Sequence, residues 1–390
     1  MNNQVKYQRI PLIFSFKDTS SFKDTYAGEI GTVALTAHLL RPVDSINKTA
    51  VVFMHPTGGG SYLPMLNSLA KQNIDTVWCD SRYRGTDSAL IMEKVLIDLG
   101  QCIKHLKEVH NYEKVILGGW SGGGSLSLFY QSQAENPSIT ETPAGDPIDL
   151  ISENFIPADG VMLIAAHESR HRTFTEWIDG SVLDENNPEN RSLELDIYDK
   201  SNPNQPEYTD DFVATYRASQ IERNRKITIW VQEKLNDYKL KGESNRELGF
   251  VVHRTMADPK WLDTTIDPNG RKPNWCFLGE PEIVNNSPIG LGRFCSLRSW
   301  LSQWSYDLAQ GDGISCAKKI SVPTLVIGNT DDDGITPSHT KNLFESIGHD
   351  NKELKWIEGA NHYYFGQPEK SNEASLVCKS WLREKKLIDE

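Results

Sequence analysis

The feature that most constrains the fold is a serine held between a short apolar strand and an apolar helix. Residues 114–117 are typical of a buried strand, and residues 125–130 are typical of a helix. Between them lie Gly119, Ser121 and Gly123 in a Gly-x-Ser-x-Gly pattern. The two glycines suit a sharp strand-to-helix turn, because side chains there would collide with neighbouring backbone. The sequence therefore predicts a strained serine whose hydroxyl projects from the edge of a sheet.

Ser121 is the first candidate for a nucleophile. The helix that follows directs its positive end at the serine and would stabilise negative charge developing there. The alternative is a flexible glycine-rich loop, but such loops are usually flanked by polar residues rather than by apolar segments. We therefore interpret the unit as a turn that presents a reactive hydroxyl.

Two partners for such a serine occur near the C-terminus, first an acid and then a histidine. Residues 322–327 predict a buried strand that leads into Asp331, Asp332 and Asp333, and His362 follows a further short apolar strand. A carboxylate at a strand end can hold an imidazole in one tautomer and stabilise the imidazolium that forms in the reaction. Three adjacent acids also suggest a metal site. Consecutive carboxylates cannot all converge on one ion, however, and the loop lacks an EF-hand pattern, so no metal is expected.

In this order of nucleophile, acid and histidine the chain resembles the α/β-hydrolase superfamily, most closely its bacterial members that carry His-Pro-Thr-Gly and Ser-Gly-Gly-Gly-Ser-Leu. The resemblance covers roughly residues 33–170 and 320–388. It implies an α/β fold, with a mostly parallel sheet flanked by helices and a large helical cap inserted after the sixth strand. It also implies that Ser121, Asp332 and His362 are the catalytic residues.

The choice of the acid rests on alignment with the superfamily. Matching the strand from Pro323 onward places Asp332 at the acid position, whereas counting backwards from Pro337 favours Asp333. We take Asp332, because strand registry is a firmer guide than loop length.

The loop after the strand of residues 50–54 is expected to complete an oxyanion hole. Acyl transfer builds charge on the carbonyl oxygen, and two backbone N–H groups can stabilise it. One should come from Gly122 and the other from Thr57 or Gly58. Pro56 has no N–H and cannot donate, so Thr57 is preferred. We interpret His55 as a residue that braces this loop.

Three further residues are weaker candidates for contact with the substrate: Trp120, His167 and Arg82. Trp120 lies within the serine motif itself. His167 follows a predicted strand, and an ordinary loop histidine is the alternative there. Arg82 follows another strand, and a structural role that anchors the loops is the alternative. The other histidines without a partner pattern are expected on the surface: His110, His253, His339 and His349.

Composition narrows the class of protein. The 390 residues carry a net charge of −12, which disfavours nucleic acid and anionic membranes as partners. No apolar run approaches the roughly 20 residues of a membrane span. The N-terminal residues lack the apolar core of a signal peptide, and the six scattered cysteines fit reduced thiols, so a cytoplasmic location is expected. The expected partner is a small-molecule substrate, and assembly into a homodimer is left open.

Alternating strands and helices from residue 33 onward predict a parallel sheet covered on both faces. Residues 88–109 carry a helical apolar stripe. Alternation fails in the middle of the chain, where helices are expected at 210–239 and 293–308. Four regions are expected: an N-terminal polar extension with the first strands (1–32), the first part of the core (33–167), the cap (168–319) and the second part of the core (320–390). Six tryptophans of the cap could line a pocket or form the core of the cap: Trp177, Trp230, Trp261, Trp275, Trp300 and Trp304.

The function expected from these residues is that of a serine hydrolase. It would cleave an ester or thioester of a small to medium carboxylic acid through an acyl-enzyme on Ser121, with no cofactor. Cleavage of a C–C bond of the β-diketone type, or of an amide, by the same three residues is a second hypothesis. A ligand-binding protein that retains the pocket but has little activity is a third.

Overall fold

The computed structural model describes residues 5–18, 25, 31–43 and 46–389. The N-terminal extension predicted for residues 1–32 lies partly outside these residues. The described strands are β1 (Tyr7–Lys17), β2 (Thr32–Pro42), β3 (Thr49–Phe53), β4 (Asp75–Cys79), β5 (Lys114–Trp120), β6 (Gly160–Ile164), β7 (Gly249–Val251), β8 (Phe294–Ser296), β9 (Thr324–Asn329) and β10 (Lys352–Ile357). The described helices are α1 (Pro64–Lys71), α2 (Met92–Glu108), α3 (Gly122–Glu135), α4 (Arg170–Trp177), α5 (Asp210–Leu240), α6 (Pro259–Leu262), α7 (Pro281–Asn286), α8 (Leu297–Gln303), α9 (Gly313–Ala317), α10 (Pro337–Ser346) and α11 (Pro368–Glu384).

Within the described residues, eight strands form one sheet in the order β1-β2-β4-β3-β5-β6-β9-β10. β2 pairs antiparallel with both β1 and β4, and the remaining neighbours are parallel. The carboxyl ends of β3, β5, β6, β9 and β10 therefore meet at one edge. Loops that leave this edge bring together residues that lie far apart in the sequence.

The central strands are apolar on both faces, because helices cover both. Val115 and Leu117 of β5 pack into one apolar cluster with α2 and α3, while Ile116 packs into a second cluster with α1 and α11. Strands buried on both sides read as continuous apolar runs, which is the pattern that identified β5 in the sequence. The helix predicted over residues 88–109 is α2, which is shorter by four residues at its start and one at its end.

The chain leaves the sheet after β6 and returns at β9, which is hydrogen-bonded directly to β6. We call residues 165–323 the inserted segment; it contains α4 to α9 and the small β7–β8 sheet. The helix expected over 210–239 is α5, whose N-cap Thr209 accepts a hydrogen bond from the Phe212 N–H.

The helix expected over residues 293–308 is shorter than the prediction. Residues 294–296 pair with β7 as a strand, and α8 ends at Gln303. Ser296 and Ser299 form a reciprocal capping box in which each side chain accepts the backbone N–H of the other. This cap sets the start of the helix at Leu297.

Charged pairs and small apolar clusters hold the inserted segment together. Arg254 donates to Asp179 at 2.6 Å and to Asp196 at 2.8 Å, and all three side chains are at least nine-tenths buried. Trp300 and Trp304 are fully buried and pack against Phe174. These two tryptophans thus belong to the segment's own core.

All six cysteines fall in the described part of the chain, where they are buried and unpaired. Among the same residues, no helix, including the 31-residue α5, is both long enough and apolar enough to cross a bilayer.

Candidate active site

Ser121 lies at the turn between β5 and α3 with a φ of 51°. A positive φ is a strained conformation for a residue with a side chain, and such strain is concentrated at functional sites. The flanking glycines are required by their surroundings: a Cβ at Gly119 would lie 2.6 Å from the Gly124 Cα, and one at Gly123 would lie 2.5 Å from the Met54 carbonyl oxygen. Both contacts are with backbone, so no side chain could move aside.

His362 connects the serine to an acid. Its Nε2 lies 3.2 Å from Ser121 Oγ, and its Nδ1 lies 2.9 Å from Asp332 Oδ2. The imidazole and the carboxylate are almost completely buried, with 3% and 1% of their side chains exposed. The three residues follow the carboxyl ends of β5, β9 and β10, which the parallel sheet brings to the same edge.

The environment of His362 favours its charged form. Burial by itself lowers the pKa of the imidazole, but the charge of Asp332 and its hydrogen bond outweigh burial and raise that pKa. A proton accepted at Nε2 would therefore be stabilised by the carboxylate on the other side of the ring.

The acid that contacts His362 is Asp332. Its second oxygen, Oδ1, accepts the backbone N–H groups of Gly334 at 2.8 Å and Ile335 at 2.7 Å, which fix the carboxylate in place. Burial, followed by the neighbouring Asp332 charge, raises the pKa of Asp333 to about 6.

The loop of residues 55–60 lies against the start of α3. The N–H of Gly58 donates to the His55 carbonyl at 2.8 Å within a turn and is thus already engaged. The N–H of Thr57 makes only a long contact, 3.4 Å, with the Nδ1 of His55. Gly122 is the first residue of α3, where a backbone N–H has no partner within the helix. Gly122 and Thr57 are thus the two better placed donors of the three that the sequence suggested.

Three nitrogen-bearing side chains surround Gly122. A Cβ built on this glycine would lie 2.6 Å from His55 Nε2, and 3.3 Å from both His167 Nε2 and Arg170 Nη1. Burial, with added repulsion from Arg170, lowers the pKa of His55 to about 3, and burial also lowers the pKa of His167. Both histidines are therefore neutral at physiological pH, beside a buried arginine.

Aromatic side chains form the wall next to the imidazole. The Trp120 ring lies 4.9 Å from the His362 ring and 5.1 Å from the Tyr363 ring, measured between centroids. Phe277 of the inserted segment lies 5.9 Å from His362 and packs against Trp177. Trp120, a weaker candidate from the sequence, thus contacts His362, and the inserted segment reaches the same imidazole through Phe277.

Arg82 is occupied by other charges. Its guanidinium donates to Asp98 through Nε and Nη2 and to Asp18 through Nη1, and its side chain is 2% exposed. This full pairing favours the structural alternative over contact with the substrate.

The surface position predicted for His339 is wrong. Its side chain is 2% exposed, and its Nε2 lies 3.4 Å from the Glu176 carboxylate. The first turn of α10 packs beneath the inserted segment, where Lys260 Nζ also donates to Glu176 at 2.8 Å. No single-residue pattern marks a histidine that is buried by a distant segment.

Arg170 and Phe277 are the site residues that the sequence did not single out. Arg170 begins α4, shortly after the carboxyl end of β6. Because ligands bind near the carboxyl ends of parallel strands, this position in the sequence could have indicated Arg170 as a site residue. Phe277 lies in irregular chain, where no periodicity could assign it a face.

Across the described ranges, no three His, Cys, Asp or Glu side chains are grouped as metal ligands would be. Ser121, His362 and Asp332 instead form a series of two hydrogen-bond contacts.

The comparisons with known proteins concern the fold. No family model matches the sequence, and no curated protein sequence matches it. A structure of DcsB in complex with its substrate analogue is similar with a TM-score of 0.52 and 13% identity, over 97% of this chain and 99% of that chain. Est1E from Butyrivibrio proteoclasticus has a TM-score of 0.45 and 13% identity, over 90% and 95%. A monoacylglycerol lipase from Paleococcus ferrophilus has a TM-score of 0.43 and 15% identity, over 86% and 94%.

The order of the parallel strands, the strained serine after β5 and the helices on both faces are those of an α/β-hydrolase. The chain therefore has the α/β-hydrolase fold, and the fold prediction made from the sequence is confirmed.

Proposed function

We propose that the protein is a serine hydrolase that cleaves an ester or thioester of a small to medium carboxylic acid. The observation that carries this proposal is the continuous chain of contacts from Ser121 Oγ through His362 to Asp332, at 3.2 and 2.9 Å. Distances of this size allow a proton to pass from the hydroxyl to the imidazole as the serine attacks.

The reaction begins with His362 neutral and its proton on Nδ1, hydrogen-bonded to Asp332. Nε2 is then free to accept the proton of Ser121 as Oγ attacks the substrate carbonyl. The imidazolium returns this proton to the leaving alcohol or thiol when the tetrahedral intermediate collapses. Water, activated by the same histidine, then attacks the acyl-enzyme and releases the acid.

The negative charge on the carbonyl oxygen needs two donors. The N–H groups of Gly122 and Thr57 serve this role, and the positive end of α3 adds to the stabilisation. Removal of one donor of this kind costs about 3 kcal/mol of transition-state stabilisation in serine hydrolases.

The aromatic wall supports an apolar group on the substrate. Trp120, Tyr363 and Phe277 surround the imidazole with carbon surface, which stabilises an apolar acyl or alcohol group and excludes water from the acyl-enzyme. Because Phe277 comes from the inserted segment, that segment takes part in substrate selection.

The decisive experiment replaces Ser121→Ala and measures turnover of a panel of p-nitrophenyl esters and acyl thioesters. Turnover should fall by about 10⁵- to 10⁶-fold, because the nucleophile is removed. Ser127→Ala is the matched control. Ser127 is a buried serine in α3, the helix that follows Ser121, and its hydroxyl donates to the Gly123 carbonyl. The wild type should also be labelled at Ser121 by a fluorophosphonate.

Three outcomes would contradict the proposal in whole or in part. Unchanged ester turnover in Ser121→Ala would exclude this serine as the nucleophile. Absence of labelling together with absence of turnover would favour an inert binding pocket. Negligible ester cleavage with rapid cleavage of a β-diketone or an aryl amide would keep the three residues but replace the substrate class.

A further inference from the structure

Arg170 is placed beside the nucleophile by the first turn of α4. Its side chain is 4% exposed, its Nη2 donates to Gln303 Oε1 at 2.9 Å, and its guanidinium stacks over the Trp304 ring at 4.4 Å. These two contacts hold the flat guanidinium in one orientation. Its Nη1 lies 3.3 Å from the Cβ position of Gly122, next to the expected oxyanion site.

The guanidinium lacks the hydrogen-bonded carboxylates that two other buried arginines, Arg254 and Arg82, have. Arg254 and Arg82 each donate to two aspartates at 2.9 Å or less. For Arg170, by contrast, the nearest acid is Asp87 at 3.7 Å from Nη2, beyond hydrogen-bond distance. In the part of the chain that the structure describes, its Nε is buried without a hydrogen-bond partner.

This arginine keeps its charge. Burial lowers the pKa of Arg170 to about 10, which still leaves the guanidinium protonated at neutral pH. A buried cation without a hydrogen-bonded counter-ion is unfavourable, so binding of an anion next to this guanidinium would be favourable. The nitrogens of His55 and His167 border the same place and add neutral hydrogen-bonding groups.

We propose that Arg170 binds a carboxylate carried by the substrate, a few bonds away from the carbonyl that Ser121 attacks. The inference rests on the proposed function and narrows its substrate class to esters or thioesters that bear a free carboxylate. A single guanidinium flanked by neutral imidazoles matches the single charge and planar fork of a carboxylate. A phosphate would bring up to two negative charges to the same single cation.

The test measures binding directly, by calorimetric titration of the wild type with succinate, glutarate and adipate and with the corresponding diamides. At least one dicarboxylate should bind more tightly than its diamide. Arg170→Gln should weaken that binding about ten- to hundredfold, the usual contribution of a hydrogen bond to a charged group. Arg170→Lys keeps the charge without the fork and should be intermediate.

Arg172→Gln is the matched control. Arg172 lies two residues further along α4, is partly exposed, and pairs with Asp312 outside the site. The Arg172→Gln substitution removes the same charge from the same helix but outside the site, so binding of the dicarboxylates should be unchanged.

The outcomes separate this inference from the proposed function. Equal binding of dicarboxylates and diamides by the wild type, or no binding of any of them, overturns the role of Arg170, even if Arg170→Gln does not fold. Unweakened binding in a folded Arg170→Gln overturns it as well. Selective dicarboxylate binding that depends on Arg170, without fluorophosphonate labelling of Ser121, would preserve the carboxylate site and refute the hydrolase.

Discussion

The sheet core and the inserted segment are stabilised in different ways. The core places apolar strands such as β5 between two layers of helices, and Arg82 is its main buried arginine. The inserted segment has three small apolar clusters and contains ion pairs with at least one buried partner. Among them are Arg254 with Asp179, Arg217 with Asp258 and Arg223 with Glu185.

This difference separates two tasks. The core carries Ser121, Asp332 and His362 after the ends of its strands, where the backbone places His362 within hydrogen-bond distance of the other two. Under the proposed function, the inserted segment supplies surface that faces the substrate, including Phe277 and Arg170. Substitutions in the first region should therefore alter chemistry, whereas those in the second should alter stability or selection.

Apart from removal of the Ser121 hydroxyl, the largest expected effect comes from Asp332→Asn in the core. The backbone N–H groups of Gly334 and Ile335 would hold the amide oxygen, so the amide NH2 would face Nδ1 and favour the wrong tautomer of His362. We therefore expect kcat/KM to fall about 10³- to 10⁴-fold. The free energy of unfolding, followed by urea denaturation, should change far less than the activity does.

Asp331→Asn is the control for this prediction. Asp331 is the neighbouring loop carboxylate, and its side chain contacts Thr330 rather than His362. The Asp331→Asn variant should retain activity within about twofold of the wild type, because substitutions away from buried contacts usually have small effects. A similar loss in both variants would mean that the loop, and not the Asp332 carboxylate, is responsible.

In the inserted segment, Asp179→Asn should act mainly on stability. Asp179 is fully buried and accepts from Arg254 at 2.6 Å and from Ser181 at 2.7 Å. Loss of its charge leaves the Arg254 cation with one buried partner fewer, which should lower the free energy of unfolding by about 3–5 kcal/mol in urea denaturation.

The exposed pair of Arg225 and Asp307 provides the contrast within the same segment. Both side chains are about half exposed, so Arg225→Ala should change the free energy of unfolding by no more than about 0.5 kcal/mol. Equal effects of the buried and the exposed substitution would break the view that buried charges hold this segment together.

The smallest expected effect is in the pH dependence. His362 must be neutral to accept a proton, so kcat/KM should be full at high pH and should fall as the pH decreases through the pKa of His362. That pKa is raised, because the charges of Asp332 and Asp333 outweigh burial. The acidic limb of the profile should therefore lie above the ordinary histidine value of about 6.5.

Asp333→Asn should move this limb to lower pH while leaving the limiting rate nearly unchanged. Asp333 acts on His362 only through its charge and does not hydrogen-bond to it. An acidic limb below the ordinary histidine value in the wild type would contradict the raised pKa.

Much of the core could be predicted from its sequence, because its rules are local. An apolar run such as β5 is buried on both faces, and only glycine fits beside the strained Ser121. Strand registry also favoured Asp332, the residue that contacts His362 in the structure.

The inserted segment could not be predicted to the same depth, because its contacts are long-range. Arg254 and Asp179 lie 75 residues apart, and the sequence carries no signal that pairs them. Arg170 is similar, since its meaning depends on Gln303 and Trp304 from α8 and its C-cap. A helix pattern also failed at residues 294–296, where pairing with β7 overrides local propensity.

The inserted segment donates hydrogen bonds to the loop that carries the acid: among them, Trp261 Nε1 donates to the Asp333 carbonyl at 3.0 Å, and Asn269 donates to the Asp332 carbonyl at 2.8 Å. Displacement of the segment would remove both supports at once. The ordering of the loop that carries Asp332 and the packing of the inserted segment on this loop are therefore thermodynamically linked. Under the proposed function, a ligand that binds better when the segment is packed on this loop would also stabilise the position of the Asp332 carboxylate.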